Sequence, residues 1–396
     1  MKLKIFKTWM AMVVIAFAGI TIASCNKELP EAEPIEQKPP TGSSIVELLN
    51  DPDFSFLKAA VARAGTNLTN QLSDKTGVFT FFAPNNAAFQ LSGIPSEAAL
   101  AAFRPGQLDT LLRYHLIGGR VIHSSEISTA FANMYLQSSF VLAPPSATLP
   151  PGLRMPIFPS KRSTAAWVNN IPIIQPDIEA ANGIIHKVAA LVAPPTLPLW
   201  ARIATDPDLT YLKAAVERAD TGDPNKTLQS ALSNVVANLT VFAPTNLAFQ
   251  QILTGQITLA LIGQGMDPAT ALATATALAS TPDVFQNPAL ASVLTPQTVA
   301  GIVAYHVLGI RAFSVNIPVT ETNTATLLNN FVPTHPGISV QATFGATGVT
   351  AATVKGLANP SASNILINPT PAPNGTSDQH YINGTLHKID QVLRPQ

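Results

Sequence analysis

The residues of this chain that could do chemistry are few and widely spaced. Seven histidines stand at 115, 123, 186, 306, 335, 380 and 387, and Cys25 is the one cysteine. No histidine pair has the His-Glu-x-x-His spacing that sets two imidazoles on one helix face for a metal. His380 and His387 could converge across a turn, which is a weak two-histidine arrangement. There is no Gly-x-Ser-x-Gly elbow and no glycine-rich phosphate loop. A lone cysteine excludes an internal disulfide and a Cys-x-x-Cys zinc site. The chain is therefore not expected to be an enzyme, and no cofactor or metal is expected.

Cys25 suits a different chemistry. Lys2, Lys4 and Lys7 precede an apolar run from Trp9 to Ala23, about 22 Å long as a helix and shorter than a ~30 Å hydrocarbon core. That pattern is a secretory signal rather than a span. It ends in Ile22-Ala23-Ser24-Cys25, which resembles the bacterial lipobox. The resemblance implies that residues 1–24 are a lipoprotein signal peptide and that the Cys25 thiol carries the lipid. Several acyl chains anchor a protein essentially permanently. Residues 25–43 hold four Glu and four Pro with no apolar period, the composition of an extended, solvated tether. The acidic residues after the cysteine resemble export signals of outer-membrane lipoproteins. The expected location is the outer membrane, lipid-anchored, with exposure at the cell surface as the further expectation.

Bulk composition narrows the partners. Lys plus Arg and Asp plus Glu both total 23, for a net charge of zero, which removes the electrostatic case for nucleic acid. With 12% charged residues and 34 prolines, the chain suits loop-rich β-containing domains better than long solvated helices.

Those domains show themselves as a repeat. DPDFSFLKAAVARA (51–64) and DPDLTYLKAAVERA (206–219) agree at 10 of 14 positions. Three further pairs follow in the same order: TFFAPNNAAF (80–89) with TVFAPTNLAF (240–249), LRYHL (112–116) with VAYHV (303–307), and NGIIHKV (182–188) with NGTLHKI (383–389). The offset grows from 155 to 201, so the second copy carries insertions, and two copies of one domain explain the pattern. In the first block, Asp206 with Pro207 predicts a capped helix start, and Leu209, Leu212, Val216 and Ala219 share a face. The second block predicts a buried strand stopped by proline and followed by a helix. The last predicts an Asn-Gly turn and a closing strand. His115 and His306 each fall on the apolar stripe of a helix starting at Pro105 or Pro296, which favours a buried, hydrogen-bonded histidine over direct ligand contact.

Taken together, the blocks resemble the fasciclin domain, twice. The resemblance implies an α+β fold, two tandem fasciclin-like domains, each a β-wedge of about seven strands flanked by short helices. Domain 1 would span 44–194, a short linker 195–199, and domain 2 200–396, with an insertion at about 250–298. The stiff, proline-rich linker restricts the relative orientation of the copies. The proline-rich stretch Val141–Arg162 is expected to be an elaborated loop. Fasciclin domains serve mainly as extracellular adhesion and matrix-binding modules. In some animal members, partner-binding stretches fall on the Tyr-His segment and on a Pro-Asp-Ile element before the Asn-Gly turn. The resemblance thus implies Tyr114, His115, Tyr305, His306, Pro176, Asp177 and Ile178 as partner-binding residues. The second copy has Ser377-Asp378-Gln379-His380 where the first has Gln175-Pro176-Asp177-Ile178, so the two copies are not expected to bind alike. The functional expectation is a lipid-anchored cell-envelope adhesion protein with an extracellular protein or glycan partner. The alternative is a glycan-binding accessory lipoprotein of an outer-membrane nutrient-uptake system.

Overall fold

The computed structural model describes residues 41–131, 133–142, 152–345, 348–368 and 375–396. The expected signal peptide, Cys25 and all of the tether up to residue 40 lie outside the described residues. Both repeats belong to one compact body, residues 40–396.

Each repeat is built around a buried strand, Phe79–Pro84 or Leu239–Pro244, in which every residue is buried. A strand covered on both faces reads as a continuous apolar run rather than an alternating one. It lies parallel to the closing strand of its own repeat, Gly183–Val188 or Gly384–Ile389, in the same register: Phe82 faces His186, and Phe242 faces His387. On its other side it pairs antiparallel with a short strand, Leu116–Gly118 or Val307–Leu308, directly after the Tyr-His helix. The sheets then differ. In the first repeat the closing strand meets one long strand, Ile171–Ala180, with register shifts along it. In the second it meets two, Ser363–Ile365 and Gln379–Tyr381. Among the described residues each repeat has eight strands, against the seven or so expected.

The Asn-Gly turns act as staples. Asn182 accepts from the Ile45 amide (2.8 Å) and donates to the carbonyls of Leu72 (2.8 Å) and Asp74 (3.0 Å). Asn383 does the same between the Leu199 amide (2.8 Å) and the Leu232 carbonyl (2.9 Å). Gly183, at φ +147°, follows because a Cβ there would fall on the Phe79 carbonyl; only glycine lets the backbones approach so closely.

The Asp-Pro-Asp stretches differ in detail from the expectation. Asp51 and Asp206 each accept from the amide two residues on, at 3.0 and 2.9 Å, and so cap one tight turn. The helices proper begin later, at Ser55 and Thr210. The second aspartate of each stretch pairs with the lysine of the closing strand: Asp53 with Lys187 at 2.7 Å, Asp208 with Lys388 at 3.1 Å. The first and last repeated blocks are thus two halves of one contact. In the second copy Asp206 joins it, 3% exposed, within 2.9 Å of Lys388 and 2.8 Å of Arg202. Burial opposes its charge, but the Asp208 amide, Lys388 and Arg202 hold its carboxyl below the ordinary carboxylate range.

The proline-rich stretch Val141–Arg162 is not simply a loop. Its residues 143–151 lie outside the described residues, but Arg154–Ile157 and Pro159–Arg162 are strands. Pro159 opens the second of these, a place proline tolerates in a sheet. The second-copy insertion is helical: Asn246–Gly263 runs 18 residues where its counterpart Asn86–Leu91 runs six. Pro268–Leu278 follows, capped by Asp267 on the Thr270 amide at 3.0 Å.

Candidate functional site

The four Tyr-His side chains expected at a partner surface lie in the core instead. Tyr114, His115 and Tyr305 are fully buried, and His306 is 1% exposed, so as folded they offer a partner no surface. The helical stripe that carries them turns inward, and each ring is used up there. His115 donates through Nδ1 to the Leu111 carbonyl (2.8 Å) and accepts through Nε2 from the Val192 amide (2.9 Å). His306 does the same with Ile302 (2.7 Å) and Leu393 (2.8 Å). Both rings are therefore neutral ties between the Tyr-His helix and the segment after the closing strand, and burial pushes both down to about 4. Tyr114 donates to the Pro156 carbonyl and Tyr305 to that of Gly337.

The Pro-Asp-Ile element is at the surface. Pro176 is exposed, Asp177 and Ile178 are half-buried, and Ile178 packs its inner side on the first core cluster. Asp177 sits at φ +60°, its counterpart Asp378 at +52°. The Asp177 carboxylate accepts from the Ser124 amide (2.8 Å) and hydroxyl, and Asp378 accepts from the Ser314 amide (2.6 Å) and hydroxyl (2.7 Å). Burial works against the Asp177 charge, but the Ser124 hydroxyl and amide, with His186 and His123 nearby, together hold the carboxyl low. Each aspartate amide donates to a histidine of the closing strand, His186 or His387, whose Nε2 donates in turn to a backbone carbonyl. Serine, aspartate and histidine thus meet twice, yet neither group is a catalytic relay. Both nitrogens of each imidazole are spent on backbone, and each serine hydroxyl donates to the aspartate rather than to the imidazole, so the Ser-His contact of a relay is missing. His380 and His387 do not form a metal pair either, because Arg311 occupies His380 Nε2 at 2.7 Å.

That arginine opens the part of the site that the sequence did not point to. Arg311 is 2% exposed and, among the described residues, has no ion pair. Its guanidinium donates to Asn238 Oδ1 (3.0 Å), the carbonyls of Tyr381 (3.0 Å) and Ile382 (3.1 Å), and His380 Nε2. It also lies 4.6 Å over the ring of Phe158 from the other repeat, a desolvated cation–π contact. Around it the two repeats interlock. Phe158 packs on Phe313, and His380 stacks on Tyr114 at 6.3 Å. Arg162 donates to the Ile317 carbonyl (2.7 Å) and covers the ring of Phe344. Phe158, Trp167, Phe313 and Val315 form a small core of their own, drawn from both repeats. Beside this joint runs a cleft of about 490 Å³, bordered by Asn169, the linker residues Ala193–Leu197, Ser377 and His380.

Equivalent positions of the two repeats can be read from matching bonds. Thr80 binds the Arg120 carbonyl and Ile122 amide; Thr240 binds those of Ile310 and Ala312. Arg311, Phe313 and His380 therefore stand where the first repeat has Val121, His123 and Glu179. In the second repeat this face clasps the neighbouring domain. In the first it is open, with His123 and Glu179 exposed and 3.9 Å apart.

A family model for the fasciclin domain matches residues 52–194, and the second repeat carries the same blocks, the same strand register and the same Asn-Gly staple. The chain belongs to the fasciclin family. Among similar proteins, the transforming growth factor-beta-induced protein ig-h3 of Sus scrofa is 31% identical over 157 residues, 40% of this chain and 20% of that protein. That of Oryctolagus cuniculus is 30% identical over the same share, so the chain spans about a fifth of the length of these relatives. An uncharacterized Synechocystis protein is 31% identical over 146 residues, 37% of this chain and 93% of its own. A solved fasciclin-domain pair from the insect cell adhesion molecule Fasciclin I is 14% identical, with a TM-score of 0.32, covering 86% of this chain and 95% of that one.

Proposed function

We propose that the protein is a lipid-anchored adhesion protein of the bacterial outer membrane, presenting two fasciclin domains to an extracellular protein or glycan. Cys25 carries the anchor, and the acidic, proline-rich tether sets the domains off from the lipid. The observation that most supports a binding role is the asymmetry between the equivalent faces. In domain 2, the face holding Arg311, Phe313 and His380 docks another protein domain. In domain 1, the matching face, with His123, Pro176 and Glu179, is solvent-exposed. It is already shaped for docking and bears its own charges, which makes it the partner surface of this reading. The glycan-binding alternative would want a platform of exposed rings. Among the described residues the exposed aromatic side chains are Tyr135 and Phe331, one in each repeat, too few for stacking on a sugar chain.

One attachment experiment tests both halves. Bacteria making the protein should adhere to a partner-bearing surface, and surface protease should remove both the protein and the adhesion. Cys25→Ala should move the protein from the membrane fraction to the soluble one and end adhesion. Glu179→Lys should end adhesion while leaving fractionation and melting temperature unchanged. A Cys25→Ala protein that stays in the membrane contradicts the anchor, and a Glu179→Lys protein that adheres as before contradicts the surface.

A further inference from the structure

Domain 2 has a second concave feature, remote from the joint. A cleft of about 640 Å³ lies between the helices Asn246–Gly263 and Pro296–Tyr305, closed at one end by residues 392–396. Its first wall exists because that helix runs three times as long as its counterpart in domain 1. Leu253, Leu259, Phe285, Ile302 and Leu328 line it. Its apolar rim is open to water, with Leu259 71% exposed and Val293 50% exposed. Contiguous apolar surface left in water marks a ligand or partner site. The volume falls within the roughly 300–1,000 Å³ of small-molecule sites.

Of the residues that border this cleft, Arg394 is the one with a permanently charged side chain. Its backbone is pinned: the amide donates to Asn359 Oδ1 at 2.7 Å, and the carbonyl accepts from the Ala358 amide at 3.0 Å. Its guanidinium has no hydrogen-bond or ion-pair partner among the described residues. The other basic residue there, His335, is occupied, accepting from the Gly337 amide (3.0 Å) and donating to the Pro395 carbonyl (2.9 Å). The arrangement is a mainly apolar trough with one arginine, unpaired among the described residues, on its border at the end that residues 392–396 close. A guanidinium on a fixed base is suited to a carboxylate, which it binds through two parallel hydrogen bonds.

We propose that this cleft binds a small, elongated amphiphile with an anionic end, a fatty-acid-like carboxylate. The chain lies between the two helices and the carboxylate sits on Arg394. The site is independent of the anchor and of the adhesion surface.

The test is calorimetric titration of the full chain with sodium dodecanoate below its micellar concentration. One saturable site per chain is expected, with dodecyltrimethylammonium binding more weakly. Gly301 lines the cleft, and a Cβ there would meet only Leu328 Cδ1, at 3.9 Å. The Cβ of Gly301→Leu therefore meets no backbone, its branch is expected to occupy trough space beside Leu328, and leucine favours the helix over glycine. That variant should keep or raise its melting temperature and lose the binding. Arg394→Gln should weaken dodecanoate by roughly tenfold and leave binding of neutral dodecanol unchanged. The proposal is overturned if no saturable binding occurs, if Gly301→Leu binds as before, or if the cationic amphiphile binds as well as the anionic one. It is also overturned if the chain proves to be a dimer that Gly301→Leu dissociates, since the occupant is then a second copy.

Discussion

Between pH 6.5 and about 4 the protein should lose on the order of 6 kcal/mol of stability, with no change in its chemistry. His115 and His306 carry the effect. Each is neutral and fully enclosed, and burial depresses its folded pKa to about 4 from an ordinary 6.5. The unfolded chain therefore takes up these protons at a pH where the folded chain cannot. Unfolding is coupled to proton uptake, and stability falls as the pH falls through that window. A displacement from 6.5 to about 4 corresponds to about 3 kcal/mol per ring, large against the roughly 5–15 kcal/mol that holds a domain together. His186 is depressed in the same direction by burial, and His380 by burial and by Arg311 beside it. Protonating His380 would also remove the acceptor that Arg311 uses and set two cations side by side in the joint. The carboxylates held low, Asp53, Asp177 and Asp206, add their losses only at still lower pH. Urea titrations at pH 7 and pH 4.5 measure the difference. Glutamine can make both of the ring's hydrogen bonds but does not titrate, so His115→Gln and His306→Gln should each take about 3 kcal/mol out of the profile. A profile unchanged in the double variant would mean that other groups drive the acid loss.

The second large effect is expected at Arg311. Arg311→Ala leaves Asn238 Oδ1, the Tyr381 and Ile382 carbonyls and His380 Nε2 without their donor around a side chain that is itself 2% exposed. It also opens a cavity against Phe158. Orphaned buried acceptors cost about 1–3 kcal/mol each before relaxation, so a loss of about 4 kcal/mol, most of it at the joint, is expected. In calorimetry the single transition of the native chain should split, with domain 1 melting near its original temperature and domain 2 well below. Arg311→Lys should fall between, because an ammonium has three donors but not the planar fork. A variant that melts as one unit at the native temperature would show that the arginine is not what joins the domains.

Much of this architecture could be read from the chain because each repeated block is local. The apolar runs at Phe79–Pro84 and Leu239–Pro244 announce a strand covered on both faces. The Asn-Gly pairs announce the closing turn, and the seven-residue step from Leu108 to His115 places the imidazole inward. What local pattern could not show is pairing at a distance. The Asp-Pro-Asp blocks announced only a capped helix start, yet Asp53 meets Lys187, 134 residues away. Pro156 and Pro159 suggested a loop, although proline is compatible with the ends and edges of strands. The joint was the least legible part. Phe158, Asn169, Arg311, Phe313 and His380 come from four separate segments, and none has a periodic partner. One signal was present: the Asn-Gly offset puts His380 opposite Glu179. The exchange at Arg311 was hidden, because the Tyr-His offset pairs it with Arg120, and only the matching bonds of Thr80 and Thr240 put it opposite Val121.

The account rests on the two fasciclin domains being one rigid body, joined by buried contacts rather than strung on a linker. Because Cys25 is the sole cysteine, Cys25→Ala gives a thiol-free background for labels at Asn70→Cys and Ala351→Cys, both exposed and one in each domain. The distance distribution between two spin labels there should be a single narrow peak, unchanged by salt and broadened by Arg311→Ala. A broad distribution in the chain that keeps Arg311 would contradict the joint.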